Sequence, residues 1–542
     1  MFSKTLRILI LGSILALIGV ISILAQEETP GATPLTTGTP AAVSLTPAPS
    51  EAFETQAVSV FPIGPGFSDV IPHQIVRTDS DYVYVFSARA EYSNKLIAYW
   101  TTTQGLPTAG DFASGTETTV NGNPISVETI YDGAFFIHVL VNTNSGTLVH
   151  YPFDTRVNTF GAAQVLKTGN PAVSGDYIGT AGVSAGLGIN GTFHVTYWGS
   201  GNHIVYQAYT ANNDGVWATS GSASQVDTSG HATHPALAVS PADHLVTVAW
   251  VSEATSTARI LARTRAANGT WGAVEIVSAA PVWTSRNLGV NIDQGPSLII
   301  TDDGVKHLLY IEDYDNTTEY GHVHYVRYSN GAWLDQPIAL YSHDPAIIVN
   351  SAGEMFIVAH GAEAVGDNVN LYMMRRSPGC ALWEPPEHII SPPPGSSFDS
   401  SVSTKWAGTG YNRPETIEMV FFLANGGSYL NTTLYYGRIP YVAGAAPTCS
   451  PSNAAPTRNY FTVNSPTLTW NRVTGAVEYE IQVGTSARFA APLAFTTTVP
   501  ASILAMTTPA LENGTYYWRV RALDGTRTGA WSSADSFTVN AP

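Results

Sequence analysis

The sequence predicts an all-β protein: a seven-bladed β-propeller, with six blades as the alternative, followed by a β-sandwich. Three observations predict it. Short runs such as Thr192–Trp198 and His322–Tyr328 alternate with the period of half-buried strands, and no stretch between 56 and 442 keeps a helical period over three turns. Asn-Gly at 121, 190, 268, 330 and 425, and Asp-Gly at 132, 214 and 303, supply the dipeptides of tight hairpin turns. A four-strand unit recurs, marked after its third strand by Phe112, Phe160, Trp217, Trp271, Trp333 and Trp383, at spacings of 48, 57, 54, 62 and 50 residues.

At the N-terminus, Lys4 and Arg7 precede an apolar run, Ile8 to Leu24, and the small residue Ala25, the pattern of a signal peptide over 1–25. The expected location is therefore extracellular. An uncleaved segment acting as a tether is the alternative, and no other membrane span is expected. Residues 26–55 are rich in Thr, Pro, Ala and Ser and read as a linker. Charged residues are 12% of the chain and the formal net charge is −17, which argues against nucleic acid as a partner. Two cysteines exclude a disulfide scaffold and an all-cysteine zinc site.

Residues 56–442 carry the propeller repeat. One unit runs His234–Ser240, Leu245–Trp250, Arg259–Thr264 and Val274–Val277, and the next repeats it from Pro296 to Leu340. A seventh set, from Ser401 through Glu418–Leu423 to Thr433–Arg438, stops after three strands. Gln56–Phe61 has the pattern of the missing outer strand, so an N-terminal strand is expected to close the ring and remove an exposed edge.

The repeated hairpin ending in Trp resembles a decayed Asp-box, at Thr210, Asn212, Gly215 and Trp217, and at Thr264, Gly269, Thr270 and Trp271. On these residues the region is similar to the sialidase-like, BNR-repeat propellers of secreted bacterial-type proteins. Arg438-Ile439-Pro440 resembles that family's Arg-Ile-Pro motif, but it closes the repeat instead of opening it. The family's arginine triad, Tyr–Glu pair and Asp acid cannot be traced, so enzymatic activity stays undecided, leaning against. After a linker at 443–458, residues 459–542 resemble a fibronectin type III domain. Trp470 stands as a core tryptophan, and Leu511, Gly514 and Tyr516 resemble a tyrosine corner. Tyr516, Trp518, Val520 and Ala522 alternate inward, with Tyr517, Arg519 and Arg521 outward.

Chemical signals are sparse. Gly182–Gly186 fits the G-x-S-x-G pattern but lies in a β repeat, where a nucleophile elbow has no helix to follow. His194 and His307 share one repeat slot and read as structural, and Arg259, Arg263 and Arg265 as a solvated strand face. The candidate ligand-binding residues lie in second-to-third-strand loops and unit-to-unit crossovers, which meet at one end of a propeller: Arg89, Glu91, His231, His234, Asp293, Gln294, Asp344 and Asp399. The acidic run from Glu312 offers Asp313, Asp315 and Glu319 to calcium, the one cofactor the sequence points to. Cys380 and Cys449 fall at the same end of neighbouring units, so a disulfide between them is expected. The reading is a monomeric recognition protein for an extracellular glycan or protein, with the C-terminal unit as spacer or adhesion module. The alternative is an exo-acting, sialidase-like glycoside hydrolase.

Overall fold

In the computed structural model, the described residues are 59–65, 74–88, 94–113, 115–171, 182–188, 190–253, 258–279, 282, 295–312, 321–329, 331–342, 345–349, 354–362, 370–376, 383–384, 386–391, 396–403, 416–425, 428–440, 453–455, 459–470, 473, 476–489, 491–523, 528–532 and 534–541. The cysteine pair lies outside them. Among the described residues no helix is long and apolar enough to cross a membrane.

The strands form antiparallel meanders in chain order. Sheet I is Gln74–Arg77, Val83–Ala88, Lys95–Trp100 and Thr116–Thr119. Sheet II is Pro124–Tyr131, Phe136–Thr143, Leu148–Asp154 and Gln164–Lys167, with Thr159–Phe160 beside its third strand. Sheet III is Val183–Leu187, Phe193–Gly199, His203–Ala211 and Trp217–Gln225. Sheet IV is Ala232–Val239, Val246–Ser252, Arg259–Arg265 and Glu275–Ile276. Sheet V is Ser297–Ile300, Lys306–Ile311, Gly321–Ser329 and Ala332–Ser342. Sheet VI is Ala346–Val349, Met355–Ala362, Asn370–Arg376 and Glu387–Ile390, joined to V where Tyr341 and Ser342 pair with Ala362 and Gly361. Sheet VII takes three strands from the end of the series, Ser396–Ser403, Thr416–Asn425 and Ser428–Pro440, and its fourth, Ser59–Pro65, from the beginning.

That last pairing is antiparallel, with Phe61 opposite Tyr436, and it gives the third strand of sheet VII a partner on its otherwise open edge. The core lies between sheets. Phe86 and Phe153 pack between I and II, Leu308 and Val251 between IV and V, and Val85 and Val420 between I and VII, so the first sheet is packed against the last.

The recurring aromatic explains how neighbours hold together, because in each sheet it reaches back to the preceding one. Trp217 of III stacks on His150 of II at 4.2 Å and donates its indole N–H to His138. Trp271 of IV meets Tyr206 of III edge-on at 5.5 Å and donates to Ser224. Trp333 of V donates to Glu275 of IV at 2.7 Å, and Trp383 of VI packs on Tyr325 of V. Phe160 of II lies 6.2 Å from Phe86 of I. Phe112 of sheet I packs on Phe61 and Tyr436 of sheet VII, so the same contact spans the closure.

Inner strands are tied as well. Ser126 accepts the N–H of Val183, Ser184 that of Leu237, and Ser297 that of Ile347, each from the next sheet. The G-x-S-x-G serine is thus a strand-to-strand tie. Arg259, Arg263 and Arg265 are also more than a solvated face. Arg263 donates to the Val226 carbonyl of sheet III, and the Arg265 guanidinium lies 4.9 Å from the Tyr206 ring centre.

Residues 453–541 form two further sheets. One contains Asn453–Ala455, Thr467–Trp470 and Ala505–Thr507; the other is built on Glu478–Gly484, Gly514–Leu523 and Asp535–Val539. Tyr516, Trp518, Val520 and Ala522 are buried between them, and the Tyr516 hydroxyl donates to the Glu512 carbonyl at 3.1 Å. On the opposite face Arg519 lies between the Phe489 and Trp531 rings, 4.2 and 4.3 Å from their centres.

The closure also contains a buried ion pair. Arg77 of sheet I donates through Nε to Glu418 of sheet VII at 2.8 Å, and the two side chains are 5% and 1% exposed. Replacing Glu418 by Ala leaves the guanidinium paired with Asp81 but removes its partner across the interface. The expected loss is about 1–3 kcal/mol, read as a lowered urea midpoint. A loss within experimental error would mean that this contact does not hold the closure.

Four histidines are buried in the neutral form: burial, with repulsion from His150, holds His138 well below the usual histidine value, and burial lowers His150 to about 4, His194 to about 4 and His307 to about 3, with Arg265 and Arg376 adding repulsion to the last two. The unfolded chain takes up these protons near pH 6.5 and the folded chain does not, so stability falls as pH drops from 6.5 towards 4. For His150 alone this is on the order of 3 kcal/mol. The urea midpoint at pH 5 is expected below that at pH 7.5, and His307→Gln is expected to flatten the slope. A profile that rises on acidification would contradict the assignment.

Candidate functional site

Strand direction alternates within each meander, so the second-to-third-strand turns and the crossovers between sheets lie at one end. Among the described residues that end is best defined where sheet III passes to sheet IV. The turn Gly199–His203 connects the second and third strands of III, and 226–231 crosses to IV. The two are hydrogen-bonded neighbours, Ala232 N–H donating to the Asn202 carbonyl at 3.0 Å. Glu253, at the end of the second strand of IV, follows on by donating its N–H to the His231 carbonyl at 2.8 Å.

Asp227 organises this corner. Its side chain is fully buried and ringed by donors. Oδ1 accepts from Ile204 N at 2.7 Å, and Oδ2 from Ser229 N at 3.0 Å, Gly230 N at 3.1 Å and His203 Nδ1 at 3.1 Å. The carboxylate thereby shapes the crossover as an Asx turn and orients the His203 ring. His203 remains 28% exposed. Among the described residues two of the six non-glycine positions with positive φ lie at or beside this corner, Asn202 at 57° and His234 at 49°, next to Gly201 and Gly230 at 76° and 67°. Non-glycine residues held in this region cost energy and cluster at ligand-binding sites.

Of the sequence candidates, His231 is exposed on the crossover of this corner. His234 stands near it but inside the first strand of sheet IV, at a β-bulge between Thr233 and Ala236; its ring is buried and bonds the Thr233 hydroxyl at 2.9 Å. Asp399 is not in a crossover. Its backbone lies in the first strand of sheet VII opposite Phe422, because that strand begins at Ser396, earlier than its serine-rich sequence indicated. Arg89, Glu91, Asp293, Gln294 and Asp344 lie outside the described residues, as do Asp313, Asp315 and Glu319. Among the described residues no group of three or more His, Cys, Asp or Glu is arranged to hold a metal ion. His203 and Asp227 were missed. Their signal is Asp227-Thr-Ser-Gly230 after an outer strand, facing Gly201-Asn-His203 across the end of the same sheet.

A second polar array lies between sheets IV and V. His324 bonds Asp335 through Nδ1 at 2.7 Å and Glu312 through Nε2 at 3.1 Å, while the Tyr310 hydroxyl and Ala279 N–H also donate to Asp335. Burial opposes charging this ring, but the two carboxylates prevail and hold its pKa above the usual histidine value. Both nitrogens are occupied, so the array ties strands together and offers no free ring nitrogen. His307 likewise uses both nitrogens, on the Tyr325 hydroxyl at 2.7 Å and the Thr301 hydroxyl at 3.2 Å, and His194 bonds the Tyr206 hydroxyl through Nδ1 at 2.7 Å.

No protein-family model matches the chain, and no curated protein matches it. Among solved structures, the BP39L lectin from Burkholderia pseudomallei is similar over 70% of this chain and 100% of its own, at 11% identity and a TM-score of 0.48. A polysaccharide lyase, an ulvan lyase, is similar over 69% and 93%, at 13% identity and 0.41. The Aleuria aurantia lectin is similar over 61% and 99%, at 12% identity and 0.36. At these identities and scores the likenesses carry no inference about what this chain binds.

Proposed function

We propose that the chain is a secreted recognition protein, and that the end of the sheet series bearing the His203–Asp227 corner is its binding face. In this reading residues 56–442 form a seven-bladed β-propeller closed by its N-terminal strand. Residues 459–542 are a fibronectin type III spacer, and the whole is exported behind the N-terminal signal. The observation that carries the function is that corner: a fully buried carboxylate orients a partly exposed imidazole among residues with positive φ. Among the described residues many buried ionisable groups are consumed by ties between strands and sheets, as at Arg77–Glu418, Glu354–Arg375 and Tyr325–Arg376, while burial raises the Glu384 carboxyl to about 7. A hydrolase would instead need paired acids, or an acid and a nucleophile, free to reach a substrate. A neutral glycan suits a face on a chain of net charge −17, where anionic ligands are repelled at long range.

The test is a neutral- and acidic-glycan array probed with the exported protein, run beside a panel of fluorogenic glycosides. Saturable binding without turnover is expected. Turnover of any glycoside would replace this reading with the hydrolase, and silence on the array would remove the glycan.

A further inference from the structure

Resting on that reading, we propose that His203 Nε2 is the acceptor that selects the ligand: it takes a hydrogen bond from a hydroxyl of a neutral saccharide and discriminates against acidic sugars. The assignment begins at the buried end of the ring. Asp227 already accepts three backbone N–H groups, from Ile204, Ser229 and Gly230, so the fourth contact, to His203 Nδ1 at 3.1 Å, places the proton on Nδ1. In the neutral ring the other nitrogen is then a bare lone pair. Nε2 has no partner among the described residues and is not buried.

The ring is also fixed in place. A Cβ on Gly201 would lie 3.1 Å from His203 Cδ2, and one on Gly230 would lie 3.2 Å from Cε1, and both glycines have positive φ. A side chain at either turn would press on the imidazole and take up a strained backbone conformation. The acceptor is therefore pre-organised, and binding to it costs little rotamer entropy. Its surroundings set the sign of the ligand. Asp227 holds a carboxylate behind the ring, so the carboxylate of a sugar acid placed at Nε2 has no proton to offer and meets like charge. A saccharide hydroxyl supplies the proton without the charge.

The experiment uses the full exported chain, treated with EDTA, on an array of matched neutral and acidic glycans, with His203→Ala and His203→Gln beside the wild type. Glutamine offers an amide oxygen at about the reach of Nε2. The expected result is neutral-glycan binding that falls about two- to tenfold in His203→Ala, the worth of one such hydrogen bond, and is largely kept in His203→Gln. In the wild type, the ¹⁵N spectrum of the neutral His203 ring should show the proton on Nδ1 and a bare Nε2. Wild-type binding that His203→Ala leaves unchanged, preference for acidic glycans, loss of binding with EDTA, or a protonated Nε2 in the neutral ring would each overturn this inference and leave the recognition role standing. A silent wild type would remove both.

Discussion

One contact, repeated, sets the rest of the architecture: an aromatic after the third strand of one sheet laid against the preceding sheet. A four-stranded meander has two apolar faces and cannot bury either alone, so each sheet depends on both neighbours. Trp217 on His150, Trp271 on Tyr206 and Trp383 on Tyr325 are versions of one contact between different pairs. The constraint becomes acute where the series ends. Sheets VII and I are joined by Phe112 on Phe61 and Tyr436, by Arg77 on Glu418, and by Ser59–Pro65 filling the last edge.

This dependence explains where the polar residues went. Burying an ionisable group between sheets is costly unless it is paired or held neutral. The structure uses both solutions: Arg77 is paired, and His150, His194 and His307 are kept uncharged beside Gln164, Tyr206 and Tyr325. Such groups fix alignment between neighbours more than they add stability. A scaffold held in this way can tolerate strain at its rim, and the positive-φ residues around His203 exploit that rigidity.

Much of this was legible in the sequence. The aromatic spacing marked the units, and the three-strand remnant at Thr433–Arg438 called for an outer strand that Gln56–Phe61 could supply; Ser59–Pro65 pairs there. The inward alternation of Tyr516 to Ala522 was plain because period two survives in any half-buried strand. What a periodic pattern cannot encode is which neighbour a side chain meets. Hence Arg263 and Arg265 read as solvated although they reach into sheet III. The His203–Asp227 pair was hidden for a related reason: its members are separated by two strands, and only the turn geometry brings them together. Asp399 was misplaced because Ser396–Ser403 has weak strand propensity and is ordered by its pairing with Thr416–Asn425.

The central claim is that ligands engage the end of the sheet series carrying His203 and not the opposite end. Hydrogen–deuterium exchange of the full chain, with and without a neutral oligosaccharide mixture, tests it most directly. The account predicts slowed exchange over 199–203 and 226–232, with no change in the opposite turns at 132–135, 212–216 and 266–270. Protection confined to those opposite turns would contradict it.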